Sequence, residues 1–472
     1  MPRSRPLRPE DAIPDDRYRR RIRHGLRKLR TKRSPSPYSS DEILRLEEAR
    51  VDTRLAPRAT AYYLELASRS PFVANLIKAR PEEMNDLSGE RDPSNQLRYS
   101  PVPGVLHKYE LILLYVVRTC SSWCRYCYRS DFLTGKTEKE IAAPKETVAY
   151  IRRHNAAVRE RGEGVPIREA LLSGGDPMVL SNRKLFVWLD RLAGAGLRTI
   201  RIGTKELAFF PFRFDRPFFD MIDVFHARHP EVNLPFMVHF THPHEILEID
   251  DEGRLIEGPQ GPRRIAAVES AIRELVSRPY ISLQNQTPII NGVNDDPDSL
   301  RTLHRQLWRL GIRNYYYFQC REIEGHRLFA LPVEEAWRIH AESQRGLSGI
   351  ERSRFVLSTE AGKLELVSVV DARDADRAIA RLPDEARPLA GAILGDGFVV
   401  FKLHRSADPE REGDLIVARR NPEALWITGY EDRILYDGRL GRSRFAPFAR
   451  DLLAASAALP HGLGVPTLAE QD

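Results

Sequence analysis

Between Leu111 and Val367, short runs of apolar or β-branched residues alternate with longer stretches of helical period. Leu111–Val117, Glu169–Gly174, Leu197–Thr204, Leu234–Phe240, Tyr280–Ile289 and Asn314–Cys320 have the length and composition of strands. Lys184–Gly196 and Asp298–Ile312 repeat apolar residues at three- and four-residue intervals and read as helices between them. The alternation predicts βα units and an α/β fold with a parallel sheet, closed or open. Its functional side chains should lie where the strands end, at the carboxyl edge.

Outside this core the texture differs. A helical pattern starts at Glu42, after the linker-like Arg33–Glu42 in which Ser40 or Asp41 can cap it, and extends to about Pro81. Asp371–Gly391 is a charged helical or linker stretch. Beyond it Phe398–Arg405, Asp414–Arg420, Ala424–Tyr430 and Arg433–Leu440 alternate like short antiparallel strands. The expected organisation is a basic tail over 1–40, a helical region over 41–100, a core over 101–370 and a C-terminal α+β extension over 371–472.

Composition narrows the class. At 472 residues the chain is long enough for two or three units, and 42% apolar with 29% charged residues is the balance of a globular rather than a disordered protein. No apolar run approaches the roughly 18 residues of a membrane span. The opening Met1–Asp16 lacks the apolar stretch of a secretory signal, so a cytoplasmic location is expected and no membrane partner. The net charge of +7 arises near the start: residues 1–37 carry thirteen Lys or Arg against four Asp or Glu, which leaves the rest slightly negative. Arg17–Arg33 could meet RNA or an acidic partner, but a solvated tail is the simpler reading. Nothing downstream supports a nucleic-acid function.

The cysteines change the picture most. Three of the four, Cys120, Cys124 and Cys127, lie within eight residues as Cys-x3-Cys-x2-Cys directly after a strand. Such clustering in a chain expected to be cytoplasmic argues for metal rather than disulfides. Three thiolates suit a 4Fe-4S cluster that leaves one iron open. Spacing alone leaves room for a zinc site completed by Cys320 or a histidine.

With Tyr126 before the last cysteine and the Ser173-Gly174-Gly175-Asp176 turn after a strand, this spacing resembles the radical S-adenosylmethionine enzymes. The resemblance narrows to the lysine 2,3-aminomutase group over about Pro101 to Val367. It rests on seven ordered strings: Val102–Tyr109, Cys120–Arg129, Leu171–Asp176, Ile200–Lys205, His239–Ile246, Asn285–Asp295 and Tyr315–Cys320. It implies a partial (β/α) barrel of radical S-adenosylmethionine type and an isomerase that moves an amino group from C2 to C3. It also implies three cofactors: a 4Fe-4S cluster, S-adenosylmethionine and pyridoxal 5′-phosphate. A flavodoxin- or ferredoxin-type reductant and a homo-oligomer are expected with it.

Residue by residue, the resemblance places Lys108 and Lys205 toward the pyridoxal phosphate group and Lys363 as the lysine that binds that cofactor covalently. It places Ser173, Gly174, Gly175, Asp176 and His239 around the cofactors, and Arg129 on the substrate α-carboxylate, a role suited to a planar guanidinium. Where lysine-selective members carry two acidic anchors for the substrate side chain, this chain has Arg321 and Ser358. A cationic side chain would meet like charge there and a carboxylate a good partner, so an acidic substrate is expected, glutamate before aspartate. The cysteines that bring zinc to the C-terminal region of relatives are absent after Cys320.

Overall fold

The apolar runs form parallel strands because helices cover them, and the polar punctuation between them caps those helices. The computed structural model describes residues 58–80, 83, 88–92, 95–135, 140–438 and, as backbone, 442–443. The basic tail, the cap at Ser40 or Asp41 and the helical pattern before residue 58 lie outside the described residues. By compactness the chain divides between Ala361 and Gly362.

In the first unit the strands are β1 (Val105–His107), β2 (Leu111–Val117), β3 (Glu169–Gly174), β4 (Thr199–Thr204), β5 (Leu234–Val238), β6 (Ile281–Ile289), β7 (Ile312–Gln319) and β8 (Arg354–Ser358). From β2 to β8 each strand pairs in parallel with the next, and β1 adds an antiparallel edge to β2. The helices α3 (Pro144–Arg161), α4 (Asn182–Ala193), α5 (Arg216–Arg228), α6 (Ala266–Val276), α7 (Pro297–Arg309) and α8 (Val333–Ser343) alternate with these strands. This unreversed order is that of a singly wound (β/α) barrel in partial form, as the family resemblance implies. Two N-terminal helices, α1 (Ala61–Arg69) and α2 (Pro71–Ile77), start on the side-chain caps of Thr60 and Ser70.

One buried row crosses the sheet. Leu114, Leu172, Ile202, Phe236, Leu283 and Ile312 are successive register partners from β2 to β7, each at most 2% exposed. Helix starts are set by Ser181, Asp215 and Asp296, whose side chains accept backbone N–H bonds from Lys184, Phe218 and Ser299. These fixed elements leave the carboxyl ends of β2 to β8 pointing one way, and every candidate site residue of this unit except Lys108 lies at or just past one of them.

The second unit is an antiparallel meander of β9 (Gly362–Val370), β10 (Phe398–Ser406), β11 (Leu415–Arg419), β12 (Ile434–Asp437) and β13 (Arg442–Ser443). The helices α9 (Ala372–Ile379) and α10 (Arg387–Leu394) join β9 to β10. One expected strand is absent: Ala424–Tyr430 leads into a 3-10 helix over Ile427–Arg433. The alternating Ala424, Trp426 and Tyr430 are buried as a strand face would be, but Asn421 donates to the Gly429 carbonyl at 2.8 Å and closes the segment on itself. Among the described residues no helix is long and apolar enough to cross a membrane.

Behind the sheet, His304 of α7 and His340 of α8 both bond the Ser353 hydroxyl, at 2.8 and 2.9 Å, and His304 stacks on Tyr317. Burial pushes His304 down to about 4; burial, and then His304 itself, pushes His340 down to about 3. Both rings are neutral in the fold, whereas the unfolded chain protonates them near 6.5. Stability from this pair is therefore complete above about pH 6.5 and is lost as pH falls from there toward about 3. Thermal unfolding at a series of pH values should show that slope, and His340→Gln should reduce it.

Candidate active site

The loop that carries the three cysteines follows β2 and is held from the N-terminal side. Trp123 and Arg125 donate backbone N–H bonds to the carbonyls of Arg58 and Leu76, at 2.9 and 2.8 Å. Arg58 donates to the Thr119 hydroxyl at 2.7 Å, and the Thr60 N–H donates to Ser122 at 3.0 Å. Arg125, inside the cysteine motif, forms an ion pair with Glu83: Nη2 lies 2.6 Å from Oε2, Nε donates to both oxygens, and the side chains are 2% and 3% exposed. Removing one partner of a buried pair leaves an uncompensated charge, typically worth about 3–5 kcal/mol. Glu83→Gln should lower the unfolding midpoint and the iron retained after anaerobic reconstitution, and Glu83→Asp should recover part of both. An unchanged iron content in Glu83→Gln would show that the clamp does not position the loop.

Cys120, Cys124 and Cys127 are each partly exposed. Cys120 and Cys127 pack with Trp123 against the cluster of Leu106, Tyr115, Phe132 and Leu133. Burial raises all three thiols, Cys124 to about 12, and Cys120 is raised further by Asp176 and by the other two cysteines. The three therefore lie within one another's field. Among the described residues no group of three His, Cys, Asp or Glu side chains stands at metal-holding geometry. The donor chemistry nonetheless fits an iron-sulfur cluster: three thiols on one loop, which the positive charge of iron would hold as thiolates.

The turn after β3 is locked to the same loop. Gly175 and Asp176 donate backbone N–H bonds to the carbonyls of Val117 and Thr119, at 2.7 and 2.9 Å. A Cβ on Gly175 would sit 2.1 Å from the Thr119 oxygen, and Gly174 has φ +107 with the Val117 oxygen 2.5 Å from its Cβ position. Glycine is required at both for backbone to meet backbone. Asp176 turns inward: its carboxylate accepts from Met178 N, Thr204 Oγ1 and Lys205 N at 2.9, 3.0 and 2.7 Å. Burial raises it to about 6 against those bonds.

Lys205 is also engaged internally. Its ammonium lies 2.7 Å from Glu245 Oε1 and donates to the His239 carbonyl and Thr241 Oγ1 at 3.0 and 3.1 Å. Glu245 is fully buried and further accepts from the Tyr63 hydroxyl and the Thr241 N–H, both at 2.5 Å. His239 Nε2 shares a 2.8 Å bond with the Tyr126 hydroxyl, and burial, with Lys205 beside it, keeps that imidazole neutral. The strand-end network behind the cysteines is thus closed and self-satisfied. Glu83 and Glu245 escaped the sequence reading because nothing local marks a carboxylate whose partner is tens of residues away.

Of the remaining positions, Lys108, Arg129 and Arg321 each lie against an aromatic ring. Arg129, 7% exposed, donates through Nη1 to Ser173 Oγ and the Gly174 carbonyl at 2.5 and 3.1 Å, and its Nε has no hydrogen-bond partner among the described residues. Arg321, half-buried, donates to Ser358 Oγ at 3.1 Å. Both guanidiniums approach the ring of Tyr128, at 4.6 Å for Arg129 and 4.3 Å for Arg321. Lys108, 4.8 Å from the Tyr99 ring, donates to the carbonyls of Thr359 and Glu360. Burial and then Arg321 lower its ammonium to about 8. Lys363 belongs to the second unit, second residue of β9 and opposite Arg405 of β10. Tyr128, between Cys127 and Arg129, was not singled out in the sequence, yet its ring lies against both guanidiniums.

No protein-family model matches the chain. It is similar to a protein named "Putative L-lysine 2,3-aminomutase" from Aquifex aeolicus (strain VF5), 32% identical over 399 residues that span 83% of this chain and 91% of that protein. It is also similar to the L-lysine 2,3-aminomutase of Bacillus subtilis (strain 168), 29% identical over 328 residues, 67% of this chain and 61% of that one. The glutamate 2,3-aminomutase of Clostridioides difficile (strain 630) is 24% identical over 283 residues, 59% of each chain. A solved radical SAM methyltransferase from Sphaerobacter thermophilus gives a TM-score of 0.31 at 16% identity over 54% of this chain and 68% of that one, too weak a likeness to bear on the fold. By the extent of the Aquifex match, the chain belongs to the lysine 2,3-aminomutase family of radical S-adenosylmethionine enzymes.

Proposed function

We propose that this protein is a 2,3-aminomutase that moves the amino group of an acidic L-α-amino acid, glutamate before aspartate, from C2 to C3. The observation that carries the substrate is the pair Arg129 and Arg321. Both approach one tyrosine ring, both bond only neutral acceptors, and among the described residues neither forms an ion pair with a carboxylate. Two guanidiniums held without anions match a substrate that brings two carboxylates. A lysine side chain would need an acidic anchor. The nearby Glu360 is instead bound to Arg98 at 2.8 Å and to Asn95 at 3.1 Å.

In this reading Cys120, Cys124 and Cys127 hold the cluster, Lys363 holds pyridoxal 5′-phosphate, and Lys108 stands toward its phosphate. When bound, these groups supply an electron from a flavodoxin- or ferredoxin-type reductant, a carbon radical derived from S-adenosylmethionine, and a π system across which nitrogen can shift. The chain's own residues bind and orient. Arg129, fixed by Ser173, would take the α-carboxylate, and Arg321, steadied by Ser358, the side-chain carboxylate, so that the C3 hydrogen is presented in one position. Lys108 and Arg321 together make this end of the sheet cationic, which suits a phosphate beside a dicarboxylate.

The test is anaerobic reconstitution with iron, sulfide, S-adenosylmethionine, pyridoxal 5′-phosphate and reductant, followed by mass analysis of labelled L-glutamate, L-aspartate and L-lysine. The 3-amino isomer of glutamate is expected as the main product. Equal or better turnover of L-lysine overturns the substrate.

A further inference from the structure

Tyr128 sits directly after the last cluster cysteine, and its role is not explained by the cluster. Its ring centre lies 4.6 Å from the Arg129 guanidinium carbon and 4.3 Å from that of Arg321, so the two cations are within about 9 Å of each other. The two arginines come from elements 192 positions apart in sequence, and the Tyr128 ring lies against both of them. Arg129 has a second ring beneath it, Tyr115 at 5.3 Å, and two bonds to the β3 turn, whereas among the described residues the Arg321 side chain has a single bond, to Ser358. The Tyr128 side chain is partly exposed, and its hydroxyl makes no hydrogen bond among the described residues. What Tyr128 offers is therefore its face, the electron-rich surface on which a guanidinium rests.

We propose that Tyr128 is a specificity-determining residue: its ring is the shared platform that fixes Arg321 relative to Arg129, and so sets the preference for a substrate with a second carboxylate. This rests on the acidic-substrate reading above. Like charges brought this close repel, and an aromatic ring shared by both offsets part of that repulsion while no substrate is present. Without the ring, Arg321 keeps only its bond to Ser358 and loses its fixed distance from Arg129. The α-carboxylate contact, anchored independently through Ser173 and Gly174, remains.

The experiment compares L-glutamate with L-glutamine, which has the same shape without the side-chain charge, in the wild type, Tyr128→Phe and Tyr128→Leu. The readouts are kcat/KM, its division between kcat and KM, and equilibrium binding of both amino acids to the pyridoxal-loaded protein by calorimetry. Iron per chain serves as a control on the adjacent cluster. Tyr128→Phe keeps the face and should keep the glutamate preference within about threefold. Tyr128→Leu should lower it by about tenfold or more, through KM for glutamate, with little change for glutamine. A preference kept in Tyr128→Leu, or lost equally in Tyr128→Phe, overturns the platform role while leaving the acidic substrate standing. A wild type that does not prefer glutamate to glutamine overturns the substrate reading, and this proposal with it.

Discussion

Cys127→Ala, reconstituted anaerobically, should hold little iron and sulfide and form no 3-amino product. The expected drop to background is at least about 10⁶-fold, the scale at which enzymes exceed uncatalysed reactions. Three thiolates are the minimum set for a cluster that keeps one iron open, and among the described residues no other cysteine, histidine or acid completes a metal-holding group with them. Cys320→Ala is the matched control. Cys320 is 5% exposed, follows β7, and is raised to about 12 by burial alone, the signature of a packed thiol. Its removal should cost stability on the order of 1 kcal/mol through a small cavity and leave iron content intact. Iron and sulfide analysis with electron paramagnetic resonance of the reduced protein decides the matter. A full cluster in Cys127→Ala, or its loss in Cys320→Ala, would refute the assignment.

Arg321→Asp should give the next largest effect and reverse the substrate preference. Truncating one partner of a buried charge pair costs roughly 2–5 kcal/mol, so kcat/KM for L-glutamate should fall by about 10² or more. The introduced carboxylate adds repulsion to the lost attraction, and L-lysine should gain where glutamate loses. Ser358 is already bonded to Arg321 at 3.1 Å, so Ser358→Asp in the same background would place a second acid beside the first. A glutamate rate that survives Arg321→Asp would show that the guanidinium does not face the substrate.

Much of the frame is legible in the chain because parallel strands covered by helices are continuous apolar runs. Leu111–Val117 and Glu169–Gly174 were bounded to the residue. Caps such as Ser181 and Asp296 announce their helices locally. Segment 424–430 misled because burial of alternate residues is not unique to strands: a loop closed by Asn421 buries Trp426 and Tyr430 as well. In the site, the cysteines stand out through local spacing, and Arg129 through the family resemblance. Lys205 and Asp176 stand in the strings that carry the family resemblance, but only the fold shows that their polar atoms are engaged by Glu245 and by Thr204 with backbone N–H groups. The meeting of Tyr128 with Arg321 depends on which strand ends become neighbours, and that of Arg125 with Glu83 on where the N-terminal segment lies against the cysteine loop. No local pattern encodes that.

The close contact between the β3 turn and the cysteine loop bears on how this enzyme can change. With the Cβ position at Gly175 only 2.1 Å from the Thr119 oxygen, any side chain there displaces the residue next to Cys120. The two loops therefore form one structural module, although 55 positions separate Cys120 from Gly175. Libraries that diversify either loop alone should return mostly cluster-free protein, whereas grafting both together from a relative can move the reaction's starting chemistry intact. On the proposed reading, new substrates are then to be sought at Arg321 and Ser358, which bond each other rather than the cysteine loop.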